Sequence, residues 1–144
     1  MAVNIRISGL NEVLDKIENL ADINEYKQRL GKACALVERS AKEKAPKDTG
    51  ALRRSITSAV YEEQGELVGV VFTPLEYAPY VEYGTGLFAK ESGHAGREWN
   101  LPWKYQDDAG DWHSTRGQKP KLFMHNALTE NRENIKRILK GGSA

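Results

Sequence analysis

Ile56-Thr57-Ser58-Ala59-Val60-Tyr61, then Glu62-Glu63-Gln64-Gly65, then Leu67-Val68-Gly69-Val70-Val71-Phe72-Thr73 is the stretch that decides the fold of this 144-residue chain. Both outer runs are rich in Val, Ile, Thr and Phe, which suit a pleated and half-buried surface. The four residues between them, ending in glycine, predict a hairpin. Pro74 has no amide hydrogen with which to continue a ladder, so it ends the second strand. Upstream, Val3, Ile5 and Ile7 alternate with Asn4, Arg6 and Ser8, the period-two pattern of a third, short strand.

Helical spacing fills the interval between these strands. Leu10, Val13, Leu14, Ile17 and Leu20 form one apolar stripe, and Tyr26, Leu30, Ala33, Cys34, Val37 and Ala41 form a second and longer one. Residues 21–24 read as a joint between the two helices, with Asp22 or Asn24 as an N-cap. Pro46 stops the second helix, because the residue before a proline is pushed out of the helical region. Ala45-Pro46-Lys47-Asp48-Thr49-Gly50 has the chemistry of a loop, and residues 52–55 predict one helical turn. Gln118-Lys119-Pro120-Lys121 leads into a last helix bearing Phe123, Ala127, Leu128, Ile135, Ile138 and Leu139. A strand, two helices, a group of strands and a final helix make an α+β domain: a small antiparallel sheet packed against two N-terminal helices and one C-terminal helix.

Residues 1–144 fit one domain, with residues 86–117 as a long loop and aromatic hairpin insertion and residues 141–144 as a loose tail. Trp103, Tyr105, Trp112 and Ser114 bracket Asp107-Asp108-Ala109-Gly110-Asp111 as the two arms of that hairpin around an acidic tip. Hydrophobic residues make up 40% of the chain and charged residues 28%, which excludes a disordered polyelectrolyte. The longest apolar run, residues 67–72, falls far short of the roughly 20 residues that a membrane span needs. The start MAVNIRISGL lacks the apolar segment of a secretory leader, so the expected site of synthesis and residence is a cytoplasm. A single cysteine, Cys34, excludes an internal disulfide framework and any multi-thiolate metal site.

The formal net charge of +1 hides a segregation: residues 1–59 carry +3, residues 60–115 carry −7 and residues 116–144 carry +5. Opposite poles on one molecule favour head-to-tail pairing of copies, since complementary patches steer association and set its register. The plainer account is that sheet and helices differ in composition.

Catalytic and metal-binding patterns fare poorly. Asp48-Thr49-Gly50-Ala51 matches the active-site tetrapeptide of retroviral-type aspartic proteases, whose two aspartates share a proton in a buried dyad. Here the aspartate follows Lys42-Glu43-Lys44-Ala45-Pro46-Lys47 and no buried apolar strand, which favours a loop and cap role. His94, His113 and His125 lack the close spacing of zinc motifs. Asp107, Asp108 and Asp111 lack the glycine and closing glutamate of a calcium loop. Cys34 sits on the apolar stripe as a small filler. No cofactor, metal site or catalytic set is expected. The aromatics stand out instead: Tyr77-Ala78-Pro79-Tyr80-Val81-Glu82-Tyr83-Gly84-Thr85 holds three tyrosines, and Trp99, Trp103 and Trp112 cluster in the insertion. Such rings anchor protein interfaces, or else pack beneath a loop as a satellite cluster. For Tyr80 and Tyr83 the alternative to an interface is packing at a sheet edge.

Three blocks carry a family resemblance. Asp48-Thr49-Gly50-Ala51-Leu52-Arg53-Arg54-Ser55-Ile56, then Tyr77 to Thr85 as quoted, then residues 120–127 with Phe123 resemble the gene-product-ten-like head-tail joining and tail-completion (minor tail) proteins of long-tailed bacteriophages. The blocks stand in the family's order. The last departs from the family's usual Pro-x-Pro-Phe, since Lys119-Pro120-Lys121-Leu122-Phe123 has one proline. The resemblance implies a non-enzymatic virion component that forms a ring, commonly sixfold, at the head-tail junction. Its implied partners are copies of itself, connector and tail-tube proteins, and DNA in the lumen. On that reading Leu52 and Ile56 are buried, Arg53 or Arg54 faces outward, Tyr80, Glu82 and Tyr83 help form the subunit contact, and Gly84 supplies a backbone turn that bulkier residues resist; Arg53, Arg54, Thr85, Trp99, Trp103, Trp112 and Phe123 are further candidate interface residues. Rival readings are a DNA-binding module using Arg116, Lys119, Lys121, Arg132, Lys136, Arg137 and Lys140, and the aspartic protease.

Overall fold

The computed structural model describes residues 3–7, 20–47, 50–85, 103–106, 108–115 and 117–141, with backbone alone at 20–22, 103, 105 and 115. Strands β1 (Val3–Ile7), β2 (Thr57–Glu63) and β3 (Glu66–Thr73) form an antiparallel sheet in the order β1-β3-β2. The hairpin register runs from Thr57 opposite Phe72 to Glu63 opposite Glu66. Between them Gln64 and Gly65 both take positive φ, 52° and 80°, which is the backbone that a two-residue type I′ turn demands. β1 covers the other edge of β3, with Val3 opposite Thr73 and Ile7 opposite Gly69. The most apolar strand is thereby central, and both of its ladders are satisfied.

The register sorts the two faces. Ser58, Val71 and Ile5 share one row, and Val60, Gly69 and Ile7 share the next. This face carries α1 (Leu20–Lys44). On the opposite face an Arg6–Glu63 ion pair joins the two edge strands, across the row that holds the buried Val68.

The α1 stripe is as the periodicity demands: Tyr26, Leu30, Ala33, Cys34, Val37 and Ala41 are all buried. Glu25–Arg29 and Glu38–Lys42 pairs stand at i,i+4 with the acid first, the orientation that supports a helix. The joint expected at residues 21–24 is instead helical, and α1 runs on from Leu20. Half-buried Ile23 packs on the core three residues before Tyr26, so tertiary contact outweighs the weak helix propensity of Asp22 and Asn24. The remainder of the first predicted helix lies outside the described residues.

Helix and sheet meet at Gly69. A Cβ there would stand 2.4 Å from Cys34 Sγ and 3.0 Å from Leu30 Cδ1, so the missing side chain is what lets α1 lie close to β3. Cys34 is the small filler expected of it. Burial first, and then the nearby Glu38, push its thiol pKa up to about 11. Beside it, Ser58 Oγ donates to Glu38 Oε2 at 2.6 Å and Lys42 Nζ donates to Oε1 at 2.7 Å. Burial raises the Glu38 pKa, but these two bonds outweigh it and hold the carboxyl below its ordinary value of 4.5. A depressed folded-state pKa stabilises the fold above the unfolded value, and the stabilisation is lost as pH falls through the folded one. Ser58→Ala is therefore expected to lower stability by about 1 kcal/mol at pH 7. Urea unfolding at pH 7 and pH 3 checks this, the gap between variant and parent closing in acid.

α2 (Ala51–Ser55) is the predicted helical turn, with Leu52 and Ile56 buried. Ser55 Oγ donates to Leu52 O and pairs with Thr73 Oγ1, both at 2.6 Å, which fastens the turn to the end of β3. The single C-terminal helix expected from the apolar stripe is two: α4 (Phe123–Glu130) and α5 (Arg132–Leu139). The break is at Asn131, with φ −101° and ψ 6°, whose side-chain amide donates to Ala127 O at 2.8 Å. That local bond competes with the helical ladder. The stripe continues across the break through Ile135 and Ile138, so periodicity alone conceals it. α4 and α5 pack on α1, α4 also touches β1, and Lys44 meets Glu130 at 2.5 Å.

The insertion forms the predicted hairpin from β4 (Trp103–Gln106) and β5 (Trp112–Thr115), Trp103 opposite Thr115. Asp48 and Thr49 of the protease tetrapeptide, residues 86–102 with His94 and Trp99, and residues 142–144 of the expected tail lie outside the described residues. Among the described residues no helix is long and apolar enough to cross a membrane.

Candidate functional site

The tyrosine-rich block is a helix: α3 spans Ala78–Tyr83 and touches the edge strand β1, with Pro79 in its first turn, where its fixed φ suits helix initiation. Gly84 ends it at φ 80° and ψ −179°, a region only glycine enters readily. A Cβ at Gly84 would also stand 2.6 Å from Gln118 O and 3.0 Å from the Pro120 ring. The turn therefore brings the second block directly against the third.

Four backbone and side-chain bonds lock the two together. Thr85 N–H donates to Gln118 O at 2.9 Å, and Gln118 N–H returns a bond to Thr85 Oγ1 at 2.8 Å. Lys121 N–H donates to Val81 O at 2.9 Å and Leu122 N–H to Glu82 O at 3.2 Å. Leu122 then takes a left-handed backbone, φ 49° and ψ 38°, at the N-cap of α4, where its apolar side chain cannot satisfy the helix's free amides. Glu82 does so from 40 residues upstream. Its carboxylate, 1% exposed, accepts Met124 N–H on Oε2 and His125 N–H on Oε1, each at 2.9 Å. An acid at this end also complements the helix dipole.

The predicted interface residues thus divide by place. Glu82, Gly84 and Phe123 are buried within the chain and hold the α3–α4 junction, while Thr85 is one of its bonded partners. Tyr77 is 44% exposed beside them, and Tyr80 and Tyr83 are half-buried. Desolvation first and then Glu82 raise the Tyr83 phenol pKa. Arg54 points outward over Gly50. Arg53 is half-buried, and its Nε finds no acceptor among the described residues. Trp112 is 68% exposed on the hairpin. Asp108, Asp111, His113 and Ser114 are exposed with it, and Gln106 Nε2 closes the tip by donating to Gly110 O at 2.7 Å. Trp103 enters through its backbone pairing alone.

Three participants carry no sequence signal: Gln118 and the backbone amides of Met124 and His125. No local pattern marks them, because their partners are more than 30 residues away. Among the described residues no three His, Cys, Asp or Glu side chains gather as a metal set would.

The Arg53-bearing turn and α3 both fall within residues 10–84, which match the family model HK97-gp10_like, described as "Bacteriophage HK97-gp10, putative tail-component". Comparison with curated proteins and with solved structures yields no match. The matched stretch exceeds half of the chain and ends at Gly84, the last residue of α3's C-terminal turn, and the chain therefore belongs to the HK97-gp10-like family of bacteriophage tail proteins.

Proposed function

We propose that this tail-family protein is a non-enzymatic assembly component of the head-tail connection, closing into a ring, commonly of six copies, as a joining or tail-completion factor. The observation that carries this reading is the β4–β5 hairpin. Every described side chain on it is exposed, with Trp112 at 68%, and a two-stranded ribbon is marginal in water without a surface to lie on. A large exposed aromatic on a closed turn is the kind of group that anchors an interface. The segregated charge supports the same reading, because a heterologous contact repeated about an axis closes when the rotation fits. On this reading the connector and tail-tube proteins are the neighbours, and the virion junction is the site of action after assembly in the host.

Size-exclusion chromatography with light scattering, alone and with connector or tail-tube protein, tests it. Association is expected with at least one of these, and a chain that stays monomeric beside both sinks the proposal. Trp112→Ala is expected to weaken that association about tenfold or more while shifting the unfolding midpoint little, as exposed substitutions do. A second reading, lining DNA in the lumen, is favoured by Arg132, Lys136, Arg137 and Lys140, all exposed on or just beyond α5. It requires duplex binding whose logarithm falls with that of salt by about 0.9 per phosphate contact.

A further inference from the structure

We infer that the acidic tip of the β4–β5 hairpin of one copy docks in the groove between α1 and α5 of the next. The inference rests on the ring reading above and adds which two surfaces meet. A cavity of about 180 Å³ opens between the N-terminal half of α1 and the end of α5, lined by Glu25, Gln28, Arg29, Lys32, Ile138 and Gly141. Buried Ile138 gives it an apolar wall. Arg29 is steadied by its ion pair with Glu25 and lies against Gly141, where a Cβ would stand 3.2 Å from the guanidinium carbon. Lys32 is exposed on α1, and Lys136, Arg137 and Lys140 are exposed along the other wall's helix or just past it.

This surface has few acids of its own. Its lining holds one acid, Glu25, already paired with Arg29; on α5 and just past it Arg132, Lys136, Arg137 and Lys140 outnumber the one acid, Glu133, which faces Lys136 at 3.4 Å, and Glu130 on α4 is engaged by Lys44. The hairpin has the opposite sign, with Asp108 and Asp111 exposed at its tip and Trp112 beside them. The Gln106–Gly110 bond holds that tip closed, which reduces the ordering cost of docking. A ring requires each copy to present two different surfaces, one inserted and one receiving. The acidic hairpin and the cationic groove stand on separate elements and are complementary in charge, which sets both the pairing and its direction. Glu25 in the lining tells against a bare inorganic anion as the occupant.

Cross-linking of the full chain tests this. Ala109→Cys places a thiol at the tip and Gln28→Cys places one in the groove, both neutral and exposed positions. The native Cys34 is buried and serves as the background. With a short bis-maleimide, under the conditions where light scattering detects association, a mixture of the two variants is expected to give a dimer bridged from 109 to 28 that neither gives alone. Its yield should fall at least about fivefold from 0.1 M to 1 M salt, as the screening length shrinks from about 10 Å to about 3 Å. It should fall similarly with Asp108→Lys in the tip variant. Association without that bridge, or a tip-to-tip product from Ala109→Cys alone, overturns this docking and leaves the ring reading standing. A chain that associates under no condition overturns both.

Discussion

Replacing Glu82 with alanine is expected to destabilise the fold by about 3–4 kcal/mol, the sum of two stranded amides and an emptied buried site. Each buried donor left without an acceptor costs roughly 1–3 kcal/mol, and here Met124 N–H and His125 N–H lose theirs together. The void adds its own penalty, partly offset if water enters. For a chain of this size the melting temperature should drop by about 10–15 °C. Glu82→Gln keeps one acceptor oxygen but turns an amide group toward an N–H, and should cost about 2 kcal/mol. Hydrogen exchange locates the effect: the amides of Met124 and His125 should lose protection before those of α1. If Glu82→Ala unfolds within about 1 kcal/mol of the parent, or those two amides stay protected, the capping role fails. On the proposal that Tyr80 and Tyr83 form a subunit contact, the consequence would extend to assembly, because α3 carries both and is aligned by the bonds that this carboxylate anchors.

Gly69→Ala should cost about 3 kcal/mol, near the upper end for overpacking a closed core. The new methyl would stand 2.4 Å from Cys34 Sγ and within 3.1 Å of two Leu30 side-chain carbons, so α1 must move off the sheet or Cys34 must leave its place. Cys34→Ala removes the closest atom and should recover about half of that loss in the double variant, although alone it is destabilising by about 1 kcal/mol. The non-additivity is the signature, since residues in direct contact couple by about 0.5–3 kcal/mol. Thermal or urea unfolding of the four proteins completes the cycle. Strict additivity would mean that the helix does not pack on β3 at this glycine.

The β2–β3 hairpin is legible in the sequence because each strand-forming residue and the Gln64-Gly65 turn act on neighbours in the chain. The same is true of the α1 stripe, of the turn at Leu52 and of the β4–β5 ribbon. The extra length of α1 and the break at Asn131 are not. Both are settled by contacts that local propensity does not contain: Ile23 packing on the core in one case, a side-chain amide taking a backbone carbonyl in the other.

By itself the sequence determined the α+β class, the apolar faces, the segregation of charge and the two blocks that fall within the family match, because these follow from residue type at short spacing. Only the tertiary structure decided what the blocks do to one another. Glu82 read as a contact residue in a tyrosine-rich segment, and became the acceptor for the free amides of a helix that begins 41 residues later. Gly84 read as a turn, and became a position whose missing side chain lets Gln118 and Pro120 approach. Long-range hydrogen bonds of this kind leave no periodic trace, since the partner of a buried donor is fixed by where the chain returns and not by what stands beside it.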